Sequence, residues 1–230
     1  MKLPLTARAC PVCGSDDDRS VFADEDFDPD SLDAFAFASR KLPEYMHYRL
    51  VECPRCDAVY ASPAPPPEFL AKAYLEADYD SAEEAALAAR TYARYLGKLA
   101  PGLAGSGGAL DIGAGDGAFL EQLIRAGFDP VVGVEPSSAP VEAAKPGIRP
   151  LIRRETFSPE GFEPGSFALV TCFQTMEHVF APSELCRDVL SLLRPGGAAL
   201  FVCHNRRALS ARVLGFKSPI FDIEHLQLFS

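Results

Sequence analysis

The sequence predicts an α/β fold, a parallel sheet flanked by helices, behind a small cysteine-bearing module. Three observations lead there. From residue 109 onward, short apolar runs alternate with segments of helical period, the pattern of strands joined by crossover helices. A glycine-rich turn, Gly113-Ala-Gly115-Asp-Gly117, separates the first of these strands from the first helix. Two Cys-x-x-Cys pairs lie within residues 1–61, and the stiff stretch SPAPPPEF divides them from the rest of the chain, because consecutive prolines favour extended backbone.

The bulk numbers agree. A chain of 230 residues suits one average domain and a small companion, and 48% hydrophobic content is ample for a core. Acids crowd the space between the cysteine pairs: Asp16, Asp17, Asp18, Asp24, Glu25, Asp26, Asp28, Asp30 and Asp33. They read as a solvated loop. A net charge of −10 argues against nucleic acid as a main partner, since phosphate neutralisation needs Lys and Arg. Neither a membrane span nor the apolar run of a signal peptide is visible, so a cytoplasmic protein with reduced or metal-bound cysteines is expected.

Taken in order, residues 1–61 are the cysteine module and 62–108 a linker with a helical segment. Residues 109–230 carry the sheet. Ser81 and Glu84 form a capping box, and Ala85, Ala88, Ala89, Tyr92, Leu96 and Leu99 then recur on one helical face. PGLAGSGG reads as the loop that ends that helix. ALDI is the first strand, 118–126 a helix, PVVGV the second strand and 138–145 a short helix. RPLI is a third strand and FALVTCF a fourth. A helix over 182–193 stops at RPGG, where glycine suits the left-handed turn. AALFVCH is the fifth strand.

The cysteine pairs, Cys10/Cys13 and Cys53/Cys56, have the two-residue gap that lets both thiolates of a knuckle reach one metal. Two knuckles make a closed four-thiolate site, the signature of structural zinc. Iron in the same ligand set and a redox dithiol are the alternatives. The expected role is folding support for a module with a thin core. Cys172, Cys186 and Cys203 fall in strand or helix patterns and read as core residues.

The glycine turn offers close backbone approach and free N–H groups at a helix start. Glu135, at the end of the second strand, can accept hydrogen bonds from both hydroxyls of a ribose. Strand, turn, helix and spaced acid point to a nucleoside-bearing cofactor without choosing it, since Gly113-x-Gly115-x-x-Ala118 also fits the looser dinucleotide fingerprint.

LDIGAGDGAFL resembles motif I of class I S-adenosylmethionine (SAM)-dependent methyltransferases. FALVTCFQTMEHV is similar to their fourth-strand motif, and LLRPGGAALFV to the turn before strand five. The cysteine module, the Tyr-x-Ser-Pro step and the terminal Glu-His-x-x-x-Phe-Ser occur together in zinc-bearing methyltransferases, of which deoxysugar C-methyltransferases are the best-defined group. The resemblance implies a Rossmann-like class I sheet with a small zinc ribbon and SAM as cofactor. Gly113, Gly115 and Gly117 would pass the methionine part, and Asp111 would orient the loop or the ammonium. Glu135 would hold the ribose, and Gln174 would complete the cofactor set. Beside the adenine the family acid is replaced by LIRRETF, where either Glu155 or apolar and backbone contacts serve. The substrate implied is a small molecule of the nucleotide-linked sugar class. His225 would be the base, oriented by Glu224, with Tyr79 completing the site. His178 either lines that pocket or holds the loop. His47 reads as structural, and His204 matches no family role.

Two further readings stand beside this one. A nicotinamide-dependent oxidoreductase rests on the looser fingerprint, and a non-catalytic zinc- and cofactor-binding module gains weight from the missing C-terminal strands. Strands six and seven of such a sheet have no counterpart in the sequence. The fifth strand is therefore expected to be covered by an oligomer partner or by sequence beyond Ser230.

Overall fold

Two sheets organise the chain. The computed structural model describes residues 3–29, 32, 35–38, 44–99, 102–103 and 107–230, the side chain of residue 99 apart. Asp30, Asp33 and part of PGLAGSGG therefore lie outside the described residues, and the described acids of the first loop are all exposed. The small sheet begins with β1 (Ser20–Ala23), β2 (Leu50–Glu52) and β3 (Val59–Ala61), paired antiparallel in succession. Val59, Tyr60 and Ala61 are all buried, as expected of a strand covered on both faces.

Pro67 opens helix α1 (Pro67–Leu75), where its fixed φ and missing N–H cost nothing. Ser81 precedes α2 (Ala82–Leu99), whose Ala89 and Leu96 are buried while Tyr92 lies against the core beside them. The expected stripe is thus the face that binds this helix to the sheet. β4 (Gly108–Ile112), α3 (Ala118–Arg125), β5 (Val131–Val134), α4 (Ser138–Ala143) and β6 (Ile152–Arg153) come next. β7 (Phe167–Phe173), α5 (Pro182–Leu192), β8 (Leu193–Val202), α6 (Leu209–Leu214) and β9 (Gln227–Leu228) complete the order.

The large sheet is parallel throughout, in the order β6-β5-β4-β7-β8. β4 is buried at all five positions and β7 at six of seven, so their near-continuous apolar runs, interrupted by Asp111 and Thr171, are the imprint of helices on both faces. One face packs Leu120, Leu123 and Leu169 with α2 and α3; the other packs Leu110, Val170 and Cys172 with Leu185 and Val189 of α5. The strand order reverses between β4 and its two neighbours. The crevice outside their carboxyl ends is where such sheets bind ligands.

Three local expectations are corrected. RPLI is not a full strand: residues 149–151 form a single 3-10 turn, and only Ile152 and Arg153 pair with β5. Helix α5 stops at Leu192, and RPGG lies inside β8 as an irregularity in register. Gly196 does adopt φ +78° there. Gly197 is needed for another reason, since a Cβ would sit 3.0–3.1 Å from the carbonyl oxygens of Arg194, Phe167 and Ala168. Helix α4 ends at Ala143, short of the expected 145, because Pro146 disfavours helical backbone just before it.

The segment after β8 does not extend the parallel sheet. It forms α6, then returns to the small sheet, where β9 pairs antiparallel with β3 (Val59 with Leu228, Tyr60 with Gln227). The small sheet, in the order β1-β2-β3-β9, is therefore not enclosed by residues 1–61. Ile223 and Leu226 are fully buried and Leu228 nearly so, in one cluster with Tyr48, Leu50 and Leu70. Each such side chain contributes about 1.5–3 kcal/mol by leaving water. β8 remains an edge strand among the described residues, and no helix among them is long and apolar enough to cross a membrane.

Candidate functional site

The carboxyl ends of β4, β5 and β7 carry the expected cofactor residues. Gly113, Gly115 and Gly117 all have positive φ, 77°, 54° and 75°, a backbone that a side chain disfavours. Their reasons differ. At Gly113 a Cβ would fall 2.2 Å from Thr175 Oγ1, and at Gly117 2.4 Å from Ile148 Cγ2. These two glycines let the turn pack against its own protein. At Gly115 nothing lies within 4 Å of a Cβ, so this is the glycine that faces open space.

Glu135 is buried at the end of β5. Its Oε2 accepts the N–H of Gly115 at 3.0 Å and its Oε1 the N–H of Ser137 at 2.8 Å. Each oxygen keeps a second lone pair, enough for a pair of vicinal hydroxyls. Burial raises its carboxyl above the usual range, against the pull of the Ser137 and Gly115 amides. Asp111 is more extreme. It accepts the Thr171 hydroxyl at 2.6 Å, and burial pushes its carboxyl up to about 7. A cation beside these acids would favour their charged forms.

Gln174 sits just past β7 with φ +49°, a left-handed conformation that a glutamine adopts only at a cost. Its Nε2 reaches Tyr92 Oη at 3.4 Å, while its Oε1 is buried with no partner among the described residues. The Tyr79 hydroxyl, also buried and without a hydrogen bond among them, lies beside Asp116, Ser81 and Glu135, and burial raises its pKa. Open space at Gly115 and orphaned polar atoms at Gln174 and Tyr79 are what a polar nucleoside ligand would satisfy. The donors and acceptors around this loop fit SAM. Tyr79, expected beside His225, stands on the cofactor side instead. Glu155, the candidate adenine residue, is exposed past β6 and lies 3.9 Å from Arg153 Nη1.

The second cluster forms where the loop after β7 meets residues 220–228. His178 Nδ1 lies 3.4 Å from Glu224 Oε2 and 3.2 Å from the Tyr74 hydroxyl. The rings of His178 and His225 meet edge-on at 4.9 Å, and His204 adds a third ring 5.3 Å from His225. His225 is 6% exposed, and its Nδ1 lies 2.9 Å from the carbonyl of Ile220. A carbonyl only accepts, so Nδ1 carries the hydrogen. Nε2 of the neutral ring is then the basic nitrogen. Ligand-competent atoms of His178, Glu224 and His225 lie within 4.8 Å of one another. Two imidazoles and a carboxylate so arranged can pass a proton. Below them Glu177 is fully buried, one oxygen bound to the His204 N–H and the other without a partner among the described residues. Burial raises its carboxyl as well.

The cysteines converge as their spacing predicts. Cys10 Sγ is 3.5 Å from Cys56 Sγ, Cys13 Sγ is 3.6 Å from Cys53 Sγ, and all four lie within 4.8 Å of one another. Sulfurs bound tetrahedrally to zinc at about 2.3 Å are about 3.8 Å apart, so the residues present fit that ion. The knuckles repeat each other. Gly14 (φ 73°) and Asp57 (φ 62°) turn the chain and donate N–H bonds to the carbonyls of Cys10 and Cys53, at 2.8 and 3.0 Å. Burial alone would raise the Cys53 thiol, but the Arg55 and Cys56 amides, with the Cys13 and Cys56 thiols, bring it down. His47 is buried and stacks on Phe216 at 5.3 Å, a packing role. Cys172 is buried in β7 as expected, whereas Cys186 is exposed on α5.

Sequence reasoning missed the residues that join these parts. Arg8 is part-buried, and burial lowers its pKa to about 10. It donates to the carbonyls of Ala61, Phe180 and Leu226 and to Gln227 Oε1. Arg206 Nη2 reaches Asp57 Oδ1 at 2.7 Å and Glu52 at 3.0 Å, tying the second knuckle to the chain after β8. Only the arginine identities were visible in sequence. Leu226 lies 218 positions from Arg8, and Asp57 149 positions from Arg206.

Comparison with known proteins adds an independent line. The family described as "Methyltransferase domain" matches residues 82–230. The ubiquinone biosynthesis O-methyltransferase of Proteus mirabilis (strain HI4320) is 33% identical over 118 residues, 49% of this chain and 47% of that protein. The enzyme of the same name from Pectobacterium carotovorum subsp. carotovorum (strain PC1) is 32% identical over 120 residues, 50% of this chain and 49% of that protein. This chain therefore spans about half the length of the curated relatives it matches. Among solved structures, the CcbJ methyltransferase of Streptomyces caelestis is 23% identical, with 53% of this chain and 52% of that one covered at a TM-score of 0.41.

Proposed function

The chain belongs to the methyltransferase-domain family of class I SAM-dependent enzymes, and from that premise we propose that it methylates a small-molecule acceptor of the nucleotide-linked sugar class. The observation that supports the reading is a pair of polar clusters at the carboxyl end of the sheet, one around Glu135 and one around His178. Glu135, Gly115 and Asp111 line the cofactor side, and His178, Glu224 and His225 the far side of the β7 carboxyl end. When bound, SAM supplies a methyl group on a positively charged sulfur, already activated for in-line displacement.

The chain's own work is alignment, exclusion of water and removal of one proton. Glu135 would fix the ribose and Asp111, as carboxylate, would face the ammonium. Gln174 Oε1 gains the donor it lacks. The acceptor's nucleophilic atom would receive that methyl group. Its proton passes to His225 Nε2. Ile220 holds the opposite nitrogen, and Glu224 with His178 steadies the charge that results. Tyr79 lines the cofactor side of the pocket. The four cysteines hold structural zinc, which cross-links the two knuckles and supplies no chemistry to the transfer.

Calorimetry with S-adenosylhomocysteine (SAH) and turnover on a panel of nucleotide-linked sugars test this together. SAH should bind the wild type, and His225→Asn should keep that affinity while losing turnover by about 100-fold or more. A folded wild-type protein that fails to bind SAH removes the whole reading. Binding without turnover on any acceptor favours the non-catalytic module.

A further inference from the structure

Gln227 plays no part in the chemistry above, yet it is completely buried with both ends of its amide engaged. Its Nε2 donates to the carbonyls of Met176 at 2.6 Å and Val179 at 2.7 Å, with the carbonyl of Glu177 at 3.2 Å. Its Oε1 accepts from Arg8 Nη2 at 3.2 Å. The orientation is forced: turned over, the amide oxygen would face three carbonyls and its NH2 an arginine. The backbone of the same stretch repeats the link, since Leu226 N–H donates to the carbonyl of Glu177 at 2.8 Å.

The placement matters more than the number of bonds. Met176, Glu177 and Val179 bracket His178. Gln227 stands two positions past His225. One side chain thus spans the two segments whose meeting creates the histidine cluster. Arg8 then fixes Gln227 from outside. It also grips Leu226 at 2.7 Å and Phe180 at 3.0 Å, and lies two positions before Cys10.

We propose that Gln227, held by Arg8, is a positioning residue that sets the spacing and orientation of His178 and His225 for proton removal. This deepens the methyltransferase reading and rests on it for the proton transfer; the geometric claim stands on the contacts alone. Gln227→Met keeps length and apolar volume and removes both donors and the acceptor. Gln227→Glu keeps the shape, and turns an oxygen onto the carbonyls of Met176 and Val179. Arg8→Lys keeps the charge but cannot hold Leu226 and Gln227 from one fork.

The test uses the full-length, zinc-loaded protein and reads its imidazoles by nitrogen-15 NMR. With four histidines in the chain, His→Asn variants assign every signal. In the wild type His225 should show an Nδ1-protonated tautomer and a cross-relaxation peak to the His178 ring. In Gln227→Met that peak should be lost and both rings should titrate differently, while His47 stays unchanged as an internal control. Arg8→Lys should give the same change in smaller measure. SAH affinity should stay within about twofold, since the cofactor residues share no partner with Gln227. Unaltered His178 and His225 signals in a folded Gln227→Met or Arg8→Lys protein would overturn the proposal. So would a change that spreads equally to His47, which means general loosening. Failure of SAH to bind the wild type would remove the enzymatic reading and leave this geometric result standing.

Discussion

If Asp111 holds the cofactor's ammonium as proposed, cofactor binding should depend on pH in a calculable way. Burial pushes its carboxyl up to about 7, against about 3.9 for an exposed aspartate. If only the carboxylate welcomes the cofactor's ammonium, the competent fraction is about one tenth at pH 6 and nine tenths at pH 8. SAH affinity should therefore rise about tenfold across that interval, about 1.4 kcal/mol. Glu135, also raised, acts in the same direction. Asp111→Asn isolates the first contribution: it should bind SAH more weakly at pH 8 and lose most of the slope. Calorimetry at pH 6, 7 and 8 in buffers of different ionisation enthalpy measures the affinity and the proton released on binding. Stability gives a second readout with its own sign. Between about pH 4 and 7 the native state keeps a proton that the unfolded chain has lost, so stability must fall as pH rises through that window, by a few kcal/mol at most. Asp111→Asn should flatten the fall. A wild-type affinity that is flat from pH 6 to 8, or a slope that survives in Asp111→Asn, refutes the reasoning.

Other substitutions probe the remaining parts. Gly113→Ala must place a Cβ 2.2 Å from Thr175 Oγ1 at φ +77°. A loss of about 2–5 kcal/mol in urea unfolding is expected from strain and overpacking, with SAH binding abolished. Cys13→Ser or Cys53→Ser should take bound zinc from one ion per chain to none by metal analysis and lower the melting temperature, as a chelator should in the wild type. Arg206→Met keeps the stem and removes the bonds to Asp57 and Glu52. It should cost about 1–3 kcal/mol and speed zinc loss to a chelator, while SAH affinity, measured by calorimetry, stays as it was.

The parallel sheet was the most legible part of the sequence. Near-continuous apolar runs such as Phe167–Phe173, interrupted by Thr171 alone, read as buried strands when bounded by turn residues and helices. The glycine turn and the cysteine knuckles were equally readable, because their spacing is dictated by local backbone geometry. What escaped was non-local. A two-residue strand, Gln227–Leu228, has no periodicity to find, and its pairing with β3 is a tertiary event. Arg8 and Gln227 look like surface residues by type, and only their distant carbonyl partners make them interior. RPLI failed for a local reason, since Pro150 cannot donate to a ladder and the segment bends before it pairs. The place of Tyr79 near Asp116 and Ser81 was not legible either, because residue type cannot specify which neighbours a loop will bring to it.

The pairing of β9 with β3 has a bearing on order of assembly. Residues 62–226 lie between these strands, so the whole parallel sheet is spliced into the small one. For a free chain, closing so long a loop carries an entropic penalty that grows with the logarithm of its length. A folded insert holds its two ends near each other beforehand. The last pairing of the small sheet should therefore form only after the parallel sheet has folded, and should open first when that sheet loosens. Amide exchange at Ala61, whose N–H donates to the carbonyl of Leu226 at 2.8 Å, becomes a remote gauge of the insert's rigidity, and a ligand that stiffens the cofactor edge should slow exchange there without touching that residue.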